Sequence, residues 1–232
     1  MEELSLLQRI AVWLVPVILA VTVHESAHGW VAMKLGDSTA KMLGRLTLNP
    51  VKHIDPIGTL LVPGLLLMMG GFIIAWAKPV PVTWENFKNP KRDMALVALA
   101  GPMSNLLMAL MWAGILKLGL VLAASGTAEM VALSLVYVGA AGITINLMLM
   151  VLNLLPLPPL DGGRIVASLL PDKLSWQFNR LESWGLVVLF GLMLMGVLGK
   201  VLWPIIVFLT ALFSKMFGLI PVLELLLRSN LL

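Results

Sequence analysis

The sequence predicts an all-α polytopic membrane protein, a bundle of about five to six transmembrane helices with a small strand and re-entrant region between the first helix and the next full span. Two observations carry this. Of 232 residues, 59% are hydrophobic and only 12% charged, and the mean hydropathy of +0.98 lies far above that of a soluble domain of this size. The apolar residues fall into runs of about 20 or more, separated by short polar loops rich in Lys and Arg, as spans and their cytoplasmic connections are. That placement accounts for the net charge of +4 without a nucleic-acid partner. The absence of Cys removes disulfides, thiolate metal ligands and a Cys nucleophile together. With no internal repeat and no long linker, 1–232 reads as a single integral membrane domain, its core over 10–170 and C-terminal helices over 171–232.

The first run, Leu6 to Met33, is long enough to cross about 30 Å of hydrocarbon and reads as a span rather than a cleaved signal. Glu2, Glu3 and Arg9 stand at its N-terminal end and Lys34, Lys41, Arg45 and Lys52 follow it, which puts its C-terminal end in the cytoplasm. From Gly36 to Gly58 the chain is polar and punctuated by Asn49-Pro50 and Asp55-Pro56, a pattern of short strands and turns. Thr59 to Ala77 is apolar but broken by Pro63, Gly64, Gly70 and Gly71, and Lys78, Lys88, Lys91 and Arg92 follow it. Positive loops on both sides disfavour a crossing, so 57–77 reads as re-entrant, with a plain span as the alternative. Met94 to Leu122 is the next span, entered through Ala100-Gly101-Pro102-Met103-Ser104-Asn105, whose small residues permit close helix approach. A further span, Ala128 to Leu152, returns to the cytoplasmic side and runs into Asn153-Leu154-Leu155-Pro156-Leu157-Pro158-Pro159-Leu160-Asp161-Gly162-Gly163-Arg164, where the prolines stop the helix. Arg164 to Ser183 looks cytoplasmic and amphipathic, and Trp184 to Leu198 begins another span. Lys200 and Pro204 interrupt the pattern before a last stretch, Ile205 to Leu227, either a sixth crossing or an interfacial helix.

Chemistry is concentrated at His24-Glu25-Ser26-Ala27-His28, an H-E-x-x-H pattern inside the first span. On a helix, residues four apart share a face, so His24 and His28 can aim two imidazole nitrogens at one Zn²⁺, with Glu25 one position round as a general base toward water. The reaction class implied is metal-assisted hydrolysis. The blander reading is a set of polar residues closing a helix end, but ionisable groups at membrane depth are costly to keep idle. Asp161 before Gly162-Gly163 fits a turn residue as well as a ligand. Asn105 suits a bond between helices as well as a substrate contact, and Asn153 suits backbone freed by the prolines. His53, beside Asp55 in the polar loop, reads either as a solvated histidine or as one reaching metal or substrate.

Taken together, His24-Glu25-Ser26-Ala27-His28 in the first span, Gly101-Pro102-x-x-Asn105 in a middle one and Asn153-x-x-Pro156-x-Pro158-x-Leu160-Asp161-Gly162 after a later one resemble the signature set of the site-2 protease family of intramembrane zinc metalloproteases (peptidase family M50). The resemblance spans about residues 10 to 170 and is nearest to compact bacterial members, without a PDZ-like insertion or a CBS-type domain. It implies His24, His28 and Asp161 as ligands of one Zn²⁺ per chain, Glu25 as general base, and Asn105 and Asn153 as candidate substrate contacts; His53 joins these candidates by its loop position alone. It also implies transmembrane protein substrates in the lipid bilayer of a bacterial inner membrane, an active site near the cytoplasmic side, and room for pairing of copies. Two other classes stay open: a membrane metal or ion transporter, which would leave Glu25 without a role, and an inactive scaffold, which would have no use for an intact Glu25.

Overall fold

The computed structural model describes residues 5–55, 77–126 and 128–228. Helix α1 (Leu6–Leu35) starts from a capping box in which Ser5 Oγ accepts the Gln8 amide and the Gln8 side chain accepts the Ser5 amide. It ends at Gly36, whose φ of 117° only glycine takes without strain. After a short α2 (Thr39–Met42), a 3₁₀ turn over Pro50–His53 and another over Trp84–Asn86 come α3 (Pro90–Ala124) and α4 (Glu129–Asn153). The chain finishes with α5 (Asp161–Leu169), α6 (Asp172–Asn179), α7 (Glu182–Leu194), α8 (Val197–Phe217) and α9 (Val222–Arg228).

Four of these helices, α1, α3, α4 and α8, are long and apolar enough to cross a membrane, and the protein is an integral membrane α-bundle. In lipid, apolar burial gives little drive for helix association, so close packing of small residues has to supply it. The α3/α4 seam is built that way. Trp112 lies over Gly142 and Leu116 over Gly139, so that a Cβ on either glycine would sit 2.3 Å and 2.7 Å from those side chains. Ala109, Ala113, Ala140 and Ala141 fill the remainder with no exposed surface. Helix α4 is the most enclosed of the four, with α1, α3, α8 and α9 packed on it. At the N-terminal end of α3, Lys91 donates to the Leu170 carbonyl (2.7 Å) and pairs with Asp172, which holds α5 and α6 beside it.

Two expectations are corrected. The strands expected between Gly36 and Gly58 are absent from the described residues. Asp37 and Asn49 start helical turns there instead: Asp37 Oδ1 accepts the Thr39 amide (3.1 Å) and Asn49 Oδ1 accepts the Val51 amide (3.1 Å). The expected span from Trp184 to Leu198 is a 13-residue helix, α7, of about 20 Å at 1.5 Å per residue, short of a bilayer core. It stops at Met195-Gly196, where Gly196 turns with φ 70°, and α8 then runs unbroken past Lys200 and Pro204 to Phe217. The re-entrant expectation for 57–77 falls, except for Ala77, outside the described residues. On either side of it, the His53 carbonyl accepts the Lys78 amide (2.9 Å).

Candidate metal centre

The helical repeat puts His24 and His28 one turn apart on the inward face of α1, both buried. Asp161 arrives from the other end of the chain. Past Pro156, Pro158 and Pro159 the backbone doubles back, and α5 seats against the carbonyls of Leu154 and Leu155. A Cβ on Gly162 would lie 2.3 Å from both oxygens, and one on Gly163 would lie 2.5 Å from Pro158 N, so the two glycines allow the fold-back. Asp161 stands in the first turn of α5, where the helix dipole favours a carboxylate, and its side chain meets the two histidines.

The three groups form a near-equilateral triangle. Nε2 of His24 and Nε2 of His28 are 3.0 Å apart, and Asp161 Oδ2 lies 3.1 Å from the first and 3.3 Å from the second. The outer ring nitrogens fix the tautomers. His28 Nδ1 faces the Val97 carbonyl (2.7 Å), which only accepts, so Nδ1 carries the proton. His24 Nδ1 faces Asn105 Oδ1 (2.5 Å). The amide end of Asn105 is committed to the Ala20 carbonyl (3.3 Å) and Asn146 Oδ1 (3.0 Å), so its oxygen is the group presented to His24.

With Nδ1 carrying the proton, each imidazole in its neutral form turns an Nε2 lone pair toward one point, and Asp161 Oδ2 joins them, buried and with no hydrogen-bond partner assigned among the described residues. Three acceptors about 3 Å apart repel one another unless a cation lies between them. A tetrahedral ion with bonds of about 2.0–2.1 Å sets its ligand atoms about 3.3 Å apart, so the donor set and spacing fit a divalent metal with one position open. The space is kept by Gly101 of α3, where a Cβ would lie 2.4 Å from His28 Nε2 and 2.6 Å from His24 Nε2.

The other candidates are distributed around this group. Glu25 is half-buried, and its Oε2 accepts the Val80 amide (2.8 Å). Pro79 and Pro81 have no N–H, so Val80 offers the single amide of that extended stretch. Asn105 has no exposed surface and touches His24 itself. Asn153 is half-buried and donates to Leu149 O one turn back (3.0 Å). His53 is buried rather than solvated; its Nε2 donates to the Thr47 carbonyl (2.9 Å), which also accepts from Ser26 Oγ (2.8 Å), and it stands outside the three-residue group. Sequence reasoning passed over Asn146. Its signal was an amide in an otherwise apolar span, seven residues before Asn153.

Comparison with known proteins points to one family. The profile described as peptidase family M50 matches residues 117–198, from late α3 to the start of α8, including Asp161. "Putative zinc metalloprotease YwhC" of Bacillus subtilis (strain 168) is 42% identical over 194 residues, 83% of this chain and 84% of that protein. "Putative zinc metalloprotease Rip2" of Mycolicibacterium smegmatis is 31% identical over 193 residues, 82% of this chain and 68% of that protein. A protein of the same name from Mycobacterium tuberculosis (strain H37Rv) is 35% identical over 154 residues, 66% of this chain and 53% of its own length. No solved structure matches the chain. Identity of this extent over most of a relative's length, on a chain whose H-E-x-x-H helix meets an aspartate from after the third long apolar helix, means that the chain belongs to peptidase family M50, the site-2 proteases.

Proposed function

We propose that this protein is an intramembrane zinc metalloendopeptidase that hydrolyses peptide bonds within or near the transmembrane segments of other membrane proteins. The observation that carries the reading is the convergence of three lone-pair atoms, His24 Nε2, His28 Nε2 and Asp161 Oδ2, on one point inside a bundle of membrane-length helices. These residues would hold one zinc per chain. When bound, the ion supplies Lewis acidity, which acidifies water and polarises a peptide carbonyl. Glu25 is the general base: it takes the proton of the attacking water and returns it to the leaving amine. The Val80 amide holds the Glu25 carboxylate in place from outside the helix. Asn105, with both ends of its amide bonded inside the bundle, serves His24 and not the substrate. Asn153 and His53 remain as substrate-side groups, the first just ahead of the Asp161 loop and the second packed with Ser26 against Thr47. A helical substrate has to unwind first, because its scissile bond is hydrogen-bonded and shielded. The positive loops support a site on the cytoplasmic side of a bacterial inner membrane, from which water would reach it.

The test uses detergent-purified protein, elemental analysis and a model transmembrane substrate. Wild type is expected to carry about one zinc and to cleave. Glu25→Gln should keep the zinc and lose at least about 10²-fold in rate, whereas Asp161→Ala should lose both. Zinc-free wild type, or cleavage by Glu25→Gln at the wild-type rate, would overturn the reading. Metal flux that persists in Glu25→Gln vesicles would replace it with a carrier.

A further inference from the structure

Asn146 touches neither the three-residue group nor Glu25, yet it ends a directed chain that begins at His24. Its Nδ2 donates to the Gly142 carbonyl (2.8 Å), its Oδ1 accepts from Asn105 Nδ2 (3.0 Å), and Asn105 Oδ1 accepts from His24 Nδ1 (2.5 Å). We propose that Asn146 is a positioning residue of the metal centre: it orients the Asn105 amide, which in turn fixes His24 in the tautomer that presents its Nε2 lone pair to zinc. The proposal rests on the metalloprotease reading above.

The polarity of the chain is decided at its far end. A backbone carbonyl only accepts, so Gly142 O dictates that the Asn146 nitrogen faces it and the oxygen faces Asn105. Turning Asn146 over would set its oxygen against Gly142 O and its nitrogen against Asn105 Nδ2, two repulsions for two bonds. The orientation thus passes to Asn105. The Ala20 carbonyl favours the same orientation, at a longer 3.3 Å. If Asn105 were reversed, its amide would donate to His24 Nδ1. The proton would move to Nε2, and His24 would leave the ligand set. Both asparagines have no exposed surface, so bulk water does not compete for either bond.

The bland alternative is that Asn146 only ties α4 to α3. The melt of the metal-free form reports such a tie, and Thr144 controls for loss of a buried polar group on the same helix, its hydroxyl being bonded within α4 to Ala140 O (3.0 Å) with no path to His24. Zinc affinity would be measured by chelator competition on the purified protein, with the visible spectrum of cobalt bound in its place as a report on ligand geometry and the melt of the metal-free form as a report on folding. Asn146→Leu and Asn146→Ala should each bind zinc about 10- to 100-fold more weakly, the usual effect of removing a group that orients a ligand, with an altered cobalt spectrum. Asn146→Asp should stay within about threefold of wild type. In this apolar setting its carboxyl is neutral, so its O–H can donate to Gly142 O and its carbonyl can accept from Asn105. Thr144→Val should leave both readouts unchanged. Wild-type zinc affinity in both Asn146→Leu and Asn146→Ala, or equal weakening in Thr144→Val, would overturn the proposal while leaving the protease reading intact. Wild type that binds no zinc would overturn both.

Discussion

Gly101 shows how one missing methyl group makes a site. At a mid-helix position, alanine in place of glycine stabilises a helix by up to about 1 kcal/mol, so Gly101 costs α3 stability. The return is the space beside two imidazoles, since a Cβ there would come within 2.4 Å of His28 Nε2 and 2.6 Å of His24 Nε2. The rings can yield only by turning their nitrogens away from Asp161. Gly101→Ala is therefore expected to fold as well as wild type, with a metal-free melting temperature equal or slightly higher, yet to retain under about a tenth of the zinc and no cleavage. Full zinc content in that variant would show that the rings have more room than the distances allow. At this level the sequence was partly legible. His24, Glu25 and His28 declare themselves because a fixed spacing on a helix fixes a shared face. Gly101 had been assigned to helix approach, and the object that approaches it is a pair of side chains from α1.

The polar stretch after α1 is organised by a side chain rather than by a strand ladder. Asp37, with no exposed surface, accepts from the amide and hydroxyl of Thr39, the Thr83 amide (2.7 Å) and Asn86 Nδ2 (2.8 Å). It thus bolts the end of α1 to the turn before α3. Burial alone would raise its pKa, but these hydrogen bonds to the charged form outweigh that, and the carboxyl is held below its usual value. A group depressed in the native state contributes stability that is complete above its unfolded pKa of about 3.9 and disappears as pH falls through the native value. Wild type should therefore be more stable than Asp37→Asn by a constant margin above about pH 5, and the margin should shrink as the pH falls through 3.9. Parallel denaturation curves of the two proteins down to about pH 3 would check this, and a margin independent of pH would exclude Asp37 as its source. Such an arrangement is hard to foresee, because Thr83 and Asn86 lie more than 40 residues away from Asp37. A polar stretch punctuated by Asn49-Pro50 and Asp55-Pro56 therefore suggested short strands and turns. The Asp161 loop had the same limit: the prolines announced the helix end, but only the contact of Gly162 with the Leu154 and Leu155 carbonyls sends α5 back toward α1.

Helix lengths and charge together set the depth of the site. At 1.5 Å per residue α1 is about 45 Å long and α3 about 52 Å, both beyond a hydrocarbon core of about 30 Å, so each must tilt or project into an interface. Seven residues, or about 10 Å, separate His28 from the end of α1 at Leu35, next to the connections that carry Lys41, Arg45, Lys52 and Lys88. On the proposed orientation, projection at that end brings the histidines close to the cytoplasmic surface. On that orientation water reaches the three-residue group from the nearby surface, and the proposed hydrolysis needs no channel through the bilayer. The orientation is open to direct measurement because the chain contains no cysteine, so any introduced thiol is unique. Lys41, Lys88 and Lys173 are exposed on the connections assigned to the cytoplasm, and Ser125 is exposed in the turn between α3 and α4 at the opposite end. In intact spheroplasts a membrane-impermeant maleimide should label Ser125→Cys and spare Lys41→Cys, Lys88→Cys and Lys173→Cys until the membrane is opened. The reverse pattern would turn the molecule over and place the histidines near the outer face. Mixed labelling of Lys41→Cys and Lys88→Cys would separate the end of α1 from the start of α3, against the Thr83 and Asn86 contacts that join them through Asp37.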